Sequence, residues 1–191
     1  MLHKCYMLAI LVVLGIITIS IVMLPDYIAI HFGKHSYSDI WACKLWYASV
    51  MMGLLIMNWC LIYFSPRVVF WVSPKWVSIP NRTYWLDPQR REITTRKLKS
   101  LMDWYGLGST IFIGLIMILL YHANTFLVYR EECVVSGFDF SPLFPRLNFT
   151  AFYMLLWAFV IFMCGWCVYF FMTFRLPKGK PTNQHDIKFQ N

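Results

Sequence analysis

Cys5-Tyr-Met-Leu-Ala-Ile-Leu-Val-Val-Leu-Gly-Ile-Ile-Thr-Ile-Ser-Ile-Val-Met-Leu24 decides the fold class. It carries no charge over a length that crosses a hydrocarbon core about 30 Å thick. Nothing in it resembles the small-x-small cleavage site of a secretory signal, since it ends Val22-Met23-Leu24-Pro25. It is therefore expected to stay as a membrane anchor. Three further apolar blocks follow, so the chain reads as an all-α polytopic membrane protein with four transmembrane helices. They span about 5–24, 45–64, 104–121 and 149–174. The second is closed by Ser65-Pro66, and the fourth is again free of charge. Composition agrees: 59% of residues are hydrophobic and 14% charged, against about a quarter charged in a soluble chain. The whole of 1–191 is read as one membrane domain.

The charges between the blocks set an orientation. Residues 65–103 hold Arg67, Lys75, Arg82, Arg90, Arg91, Arg96, Lys97 and Lys99. The tail, 175–191, holds Arg175, Lys178, Lys180 and Lys188, and Lys4 precedes the first span. Loops 25–44 and 122–148 carry fewer cations, offset by Asp26, Asp39, Glu131, Glu132 and Asp139. Excess Lys and Arg mark cytoplasmic loops. Both ends and the middle segment are thus expected inside, and loops 25–44 and 122–148 outside. The same rule accounts for the net charge of +8, so nucleic acid is not expected as a partner. Membrane lipids are, because basic segments beside a span meet anionic headgroups.

The middle segment has two parts. Asp87-Pro88 reads as an N-cap followed by proline at the first helical position. Beyond it, Leu98, Leu101, Met102 and Tyr105 form one helical face, with Arg90, Arg91, Arg96 and Lys99 around it. This predicts an interfacial amphipathic helix that feeds into the third span. Upstream, Phe70, Trp71, Trp76, Tyr84 and Trp85 alternate with Pro74, Pro80 and Pro88, a density suited to the headgroup region.

Within the spans, Gly106, Thr110 and Gly114 lie four residues apart. Small residues at this spacing allow close helix approach, here with a second copy or another membrane protein. Asn58 is read as the donor or acceptor of an interhelical hydrogen bond. No Asp, Glu, Lys or Arg lies in the middle of a span, which argues against an ion-coupled transporter.

Candidate chemistry is sparse. His31, His35 and Asp39 share loop 25–44 and are weak candidates for metal ligands or acid/base groups. The alternative is a polar loop in which Asp39 pairs with Lys44 or a histidine and Trp41 anchors at the interface. Cys43 and Cys133 fall in the two outer loops and could form a disulfide in an oxidising compartment. Cys164 and Cys167 have redox spacing but lack a basic neighbour to activate a thiol. No cofactor-binding or hydrolase motif is found.

Leu24, Pro25, His31, Phe32, Asp39, Trp41 and Lys44 resemble, in order and spacing, the N-terminal signature of a bacterial membrane family known as domain of unknown function 1648. SdpI-type immunity and signalling proteins share that signature. Ser36, Ile40 and Ala42 stand where the family has glycines. Pro80, Asn81, Tyr84, Trp85, Arg90 and Arg91 resemble the inner-loop motif of its four-helix members. The resemblance implies a bacterial cytoplasmic membrane protein. It points to a non-enzymatic sensor or immunity role, the outer residues contacting a peptide, lipid headgroup or partner protein. A membrane enzyme or metal-dependent factor at the outer surface, and an assembly subunit of a membrane complex, are the alternatives.

Overall fold

A computed structural model describes residues 2–32, 38–133 and 147–176, without the side chains of Asp39, Pro74 and residues 126–133. In chain order, α1 is Leu2–Met23, β1 Tyr27–Phe32, β2 Ser38–Cys43 and α2 Lys44–Val68. The short helix α3, Arg82–Trp85, sits between two 3-10 turns, Pro74–Trp76 and Pro88–Arg90. The chain continues with α4, Arg91–Cys133, and α5, Phe149–Thr173. Among the described residues four helices are long and apolar enough to cross a membrane, and they make the chain a multi-pass membrane protein. Their outward surfaces are hydrophobic; Leu11, Val22, Ile56, Trp157 and Ile161 are all exposed. Such residues need lipid rather than a protein core around them.

α4 is the axis of the molecule. Its 43 residues span about 65 Å at 1.5 Å per residue, about twice a hydrocarbon core. The amphipathic stretch forms its first turns, continuous with the third span. Leu98 and Leu101 are buried there, in a cluster with Trp85 and Phe174. α2 continues through Pro66 to Val68. The proline lies in the last turn, where its missing N–H costs one helical hydrogen bond.

The glycine face of α4 is filled by the chain's own helices. A Cβ on Gly106 would lie 2.5 Å from Ile62 Cδ1 and 3.0 Å from Tyr6 Cε2, and one on Gly114 would lie 3.0 Å from Val13 Cγ2. Gly106, Thr110 and Gly114 are all buried. The close approach at Gly106 and Gly114 is thus made within one chain, to α1 and α2. Gly108 receives α5 in the same way, its Cβ position 2.3 Å from Phe162 Cζ.

Asn58 makes the interhelical bond expected of it. Its Nδ2 donates to Thr110 Oγ1 at 3.1 Å, and its Oδ1 accepts from Ser109 Oγ at 3.0 Å. Interhelical hydrogen bonds in membranes average about 0.6 kcal/mol, because the unfolded state finds partners too. Asn58→Leu is accordingly expected to lower stability in detergent by about 1 kcal/mol or less. A loss of several kcal/mol on thermal or denaturant unfolding would contradict this.

Segment 25–44, read as a polar loop, forms an antiparallel hairpin. Tyr27 pairs with Cys43, Ile28 with Ala42 and Ala29 with Trp41. The register then slips, so that His31 opposes Ile40 and Phe32 opposes Ser38. Ile28, Ala29 and Phe32 are buried, which fixes the hairpin against the bundle end. Residues 33–37, including His35, lie outside the described chain.

Candidate functional site

The helices alternate in direction, so the hairpin caps one end of the bundle and the basic segment caps the other. Each end is attached to α4.

At the hairpin end, the attachment is Asn124, fully buried on α4. Its Oδ1 accepts from Ala29 N at 2.7 Å, and its Nδ2 donates to Ala29 O at 3.0 Å and Leu120 O at 2.8 Å. An amide side chain carries a donor and an acceptor side by side. It therefore meets both backbone groups of one strand residue, as a neighbouring strand would. Phe32 packs beside this tie with Ala29, Ala123 and Leu147. Lys44 closes the hairpin base: its Nζ donates to Leu24 O at 3.1 Å and pairs with Asp26 Oδ1 at 3.0 Å. Among the described side chains its acidic partner is Asp26; the expected pairing of Asp39 with Lys44 or a histidine lies outside them.

What remains presented outward is small and partly aromatic. Tyr27, His31, Ile40 and Trp41 are exposed on the two strands. Of the weak metal candidates, His31 is on β1, opposite Ile40. His35 and the side chain of Asp39 lie outside the described residues. Cys43 is an exposed free thiol; the side chain of Cys133 is not described.

At the basic end, two residues of the expected inner motif, Asn81 and Trp85, form with Lys97 a clasp on the C-terminus of α5. The last carbonyls of a helix have no partner within it. Here Phe174 O accepts from Trp85 Nε1 at 2.9 Å and Asn81 Nδ2 at 3.1 Å, while Thr173 O accepts from Lys97 Nζ at 3.2 Å. Asn81 holds φ 55°, ψ 42°, a left-handed conformation that asparagine tolerates better than most residues. The Trp85 ring is buried edge-on to Phe174, 5.6 Å between centroids. Lys97 Nζ lies 4.2 Å from the centre of that ring. Thr94 Oγ1 donates to Trp85 O at 2.7 Å. Arg90 lies over the Tyr84 ring at 3.9 Å, donates to Tyr84 O at 3.2 Å and pairs with Asp87 at 3.3 Å. Arg91 stacks over Phe70 at 5.2 Å. Pro80 precedes Asn81 at the turn into α3 and is half-buried. Asp87 caps the next turn, its Oδ1 accepting from Gln89 N at 2.8 Å.

Sequence reasoning passed over Asn124, Thr94 and Lys97 as tie points. It also passed over the pair of His3 Nδ1 and buried Asp103 Oδ1, 3.1 Å apart, which pins α1 to α4. His3 and Asp103 line a cleft of about 180 Å³ with Tyr6, Trp59, Arg67 and Lys99. Local pattern gave no signal for Asn124, Lys97 or the His3–Asp103 pair, whose distant partners lie 76 to 100 residues away, and Thr94 meets a backbone carbonyl, which has no side-chain pattern to read. No family model, curated protein or solved structure matches this chain.

Proposed function

We propose that this chain is a non-enzymatic sensor or immunity-type protein of a bacterial cytoplasmic membrane, with both ends and the basic segment in the cytoplasm. The hairpin contacts a peptide, lipid headgroup or partner protein outside, and the clasp passes its state inward. One observation carries this reading: a single helix, α4, holds the hairpin through Asn124 and the clasp through Thr94 and Lys97. A change in how the hairpin seats on α4 thus has a direct mechanical route to the other face. The orientation rests on the cations gathered at the clasp end. The membrane and the immunity-type role rest on the resemblance carried by Leu24 to Lys44 and Pro80 to Arg91.

Cys43 supplies the test. In a variant with the other cysteines replaced by serine, a bulky, membrane-impermeant maleimide should label Cys43 from outside intact cells. In reconstituted protein the same label should change amide hydrogen exchange across residues 81–97 by about twofold or more. Asn124→Leu should abolish that distant response. A labelled hairpin with an unaltered clasp would defeat the relay and favour an enzyme at the outer surface or an assembly subunit. Labelling only after the cells are opened would reverse the orientation.

A further inference from the structure

Behind the clasp lies an open-sided cavity of about 530 Å³, between the start of α4 and the end of α5. Its polar part is cationic. Lys97 and Arg175 line it together with the Ser100 and Thr173 hydroxyls, and no carboxylate is among its lining residues. Lys97 uses one of its three donors on Thr173 O. The Arg175 guanidinium makes no hydrogen bond or ion pair among the described residues. The rest of its lining is mainly apolar and includes Leu101, Tyr169 and Met172. Tyr169 and Met172 are more than half exposed on the lipid-facing side of α5.

A helix C-terminus ordinarily repels an anion. That repulsion is blunted here, because the Phe174 and Thr173 carbonyls already accept hydrogen bonds from Asn81, Trp85 and Lys97. What remains at the cavity is two positive groups, Ser100 and an apolar lining at the end of two spans, since the Thr173 hydroxyl already donates to Tyr169 O.

We propose that this cavity binds the phosphate of an anionic glycerophospholipid from the adjoining leaflet. Lys97 and Arg175 hold the phosphate ester, and an acyl chain runs along Tyr169 and Met172. A free phosphate would satisfy the same cations, but it would leave the apolar lining unused. Because Lys97 also lies on the Trp85 ring and on Thr173 O, lipid occupancy would tighten the clasp. The site stands independently of the sensor reading.

The test uses the full chain in neutral detergent, titrated with phosphatidylglycerol or phosphatidylcholine, with bound lipid counted by native mass spectrometry. One tight phosphatidylglycerol and no comparable phosphatidylcholine are expected. A Lys or Arg near a membrane surface contributes about 1 kcal/mol to binding anionic lipid. Arg175→Gln should therefore weaken binding about fivefold, and the double variant with Lys97→Gln about thirtyfold. Arg175→Gln removes no hydrogen bond or ion pair among the described residues, so its fold should be intact by thermal melt. The control, Lys75→Gln with Lys99→Gln, removes equal charge from outside the cavity and should change affinity less than twofold. Equal weakening in the control would reduce the effect to diffuse charge and overturn the site. Full competition by millimolar inorganic phosphate would overturn the lipid assignment in favour of a solute. Equal retention of both lipids would overturn it as well.

Discussion

Asn124→Leu should free the hairpin from α4 and lower stability by about 2–4 kcal/mol. The side chain is nearly isosteric, so the expected loss is polar. Ala29 is fully buried, and its N–H and C=O both bond to the Asn124 amide. A buried backbone group left without a partner costs about 1–3 kcal/mol, and two are at risk. Asp at 124 should not rescue. It can accept from Ala29 N, but it turns a second oxygen towards Ala29 O and Leu120 O and brings an uncompensated charge indoors. Gln is longer by one methylene and misplaces both groups. Hydrogen exchange is the direct readout: the Ala29 amide should be slow in the parent and fast in Asn124→Leu. The amides of α3 should stay protected in the unlabelled variant. An Ala29 amide that remains slow would show that apolar packing of Ile28 and Phe32, rather than this tie, seats the hairpin.

That tie also shows where the sequence stops being readable. The four spans were legible because lipid burial demands only length and composition. Cys5 to Leu24 and Phe149 to Phe174 meet both demands without knowledge of any neighbour. The hairpin was hidden because its strands do not alternate. Ile28 and Ala29 are consecutive and both buried, since one packs on the bundle and the other meets Asn124. Period-two patterning fails wherever a strand is covered on both faces. The Gly106, Thr110 and Gly114 face was legible as a close approach. Its partners were not, because α1 and α2 offer it Tyr6, Val13 and Ile62, which any apolar helix could supply. The inner motif was visible as a set of residues and opaque as a mechanism. Asn81, Trp85 and Lys97 converge on backbone carbonyls of Phe174 and Thr173, and a backbone carbonyl has no residue identity to read. The same holds for Lys44, whose partners are Leu24 O and Asp26. Asn81 and Lys44 were marked by resemblance, and geometry now gives each a concrete contact.

Trp85→Ala should be the most damaging single change at the clasp, at about 3–5 kcal/mol, the usual cost of emptying a buried tryptophan site. Trp85→Phe separates packing from hydrogen bonding. It keeps a ring against Phe174 and removes the Nε1 donor, for an expected cost of about 1 kcal/mol. The sharper experiment exploits the shared acceptor. Trp85 and Asn81 both donate to Phe174 O, and Phe174 is fully buried. Either donor alone keeps that carbonyl satisfied; loss of both strands it at the end of α5. Asn81→Gly is the suitable partner substitution, because glycine keeps the left-handed backbone without strain while removing the amide. In a double-mutant cycle of Trp85→Phe and Asn81→Gly, the combined loss on thermal unfolding should exceed the sum of the single losses by about 1 kcal/mol. Contacting residues typically couple on that scale. The excess should be absent when Asn81→Gly is instead paired with Asn58→Leu, which lies in the bundle interior and shares no partner with it. Strict additivity of Trp85→Phe with Asn81→Gly would mean that the two side chains act separately. The end of α5 would then be held by the edge-on aromatic contact of Trp85 with Phe174 and by Lys97, and not by a carbonyl held in common.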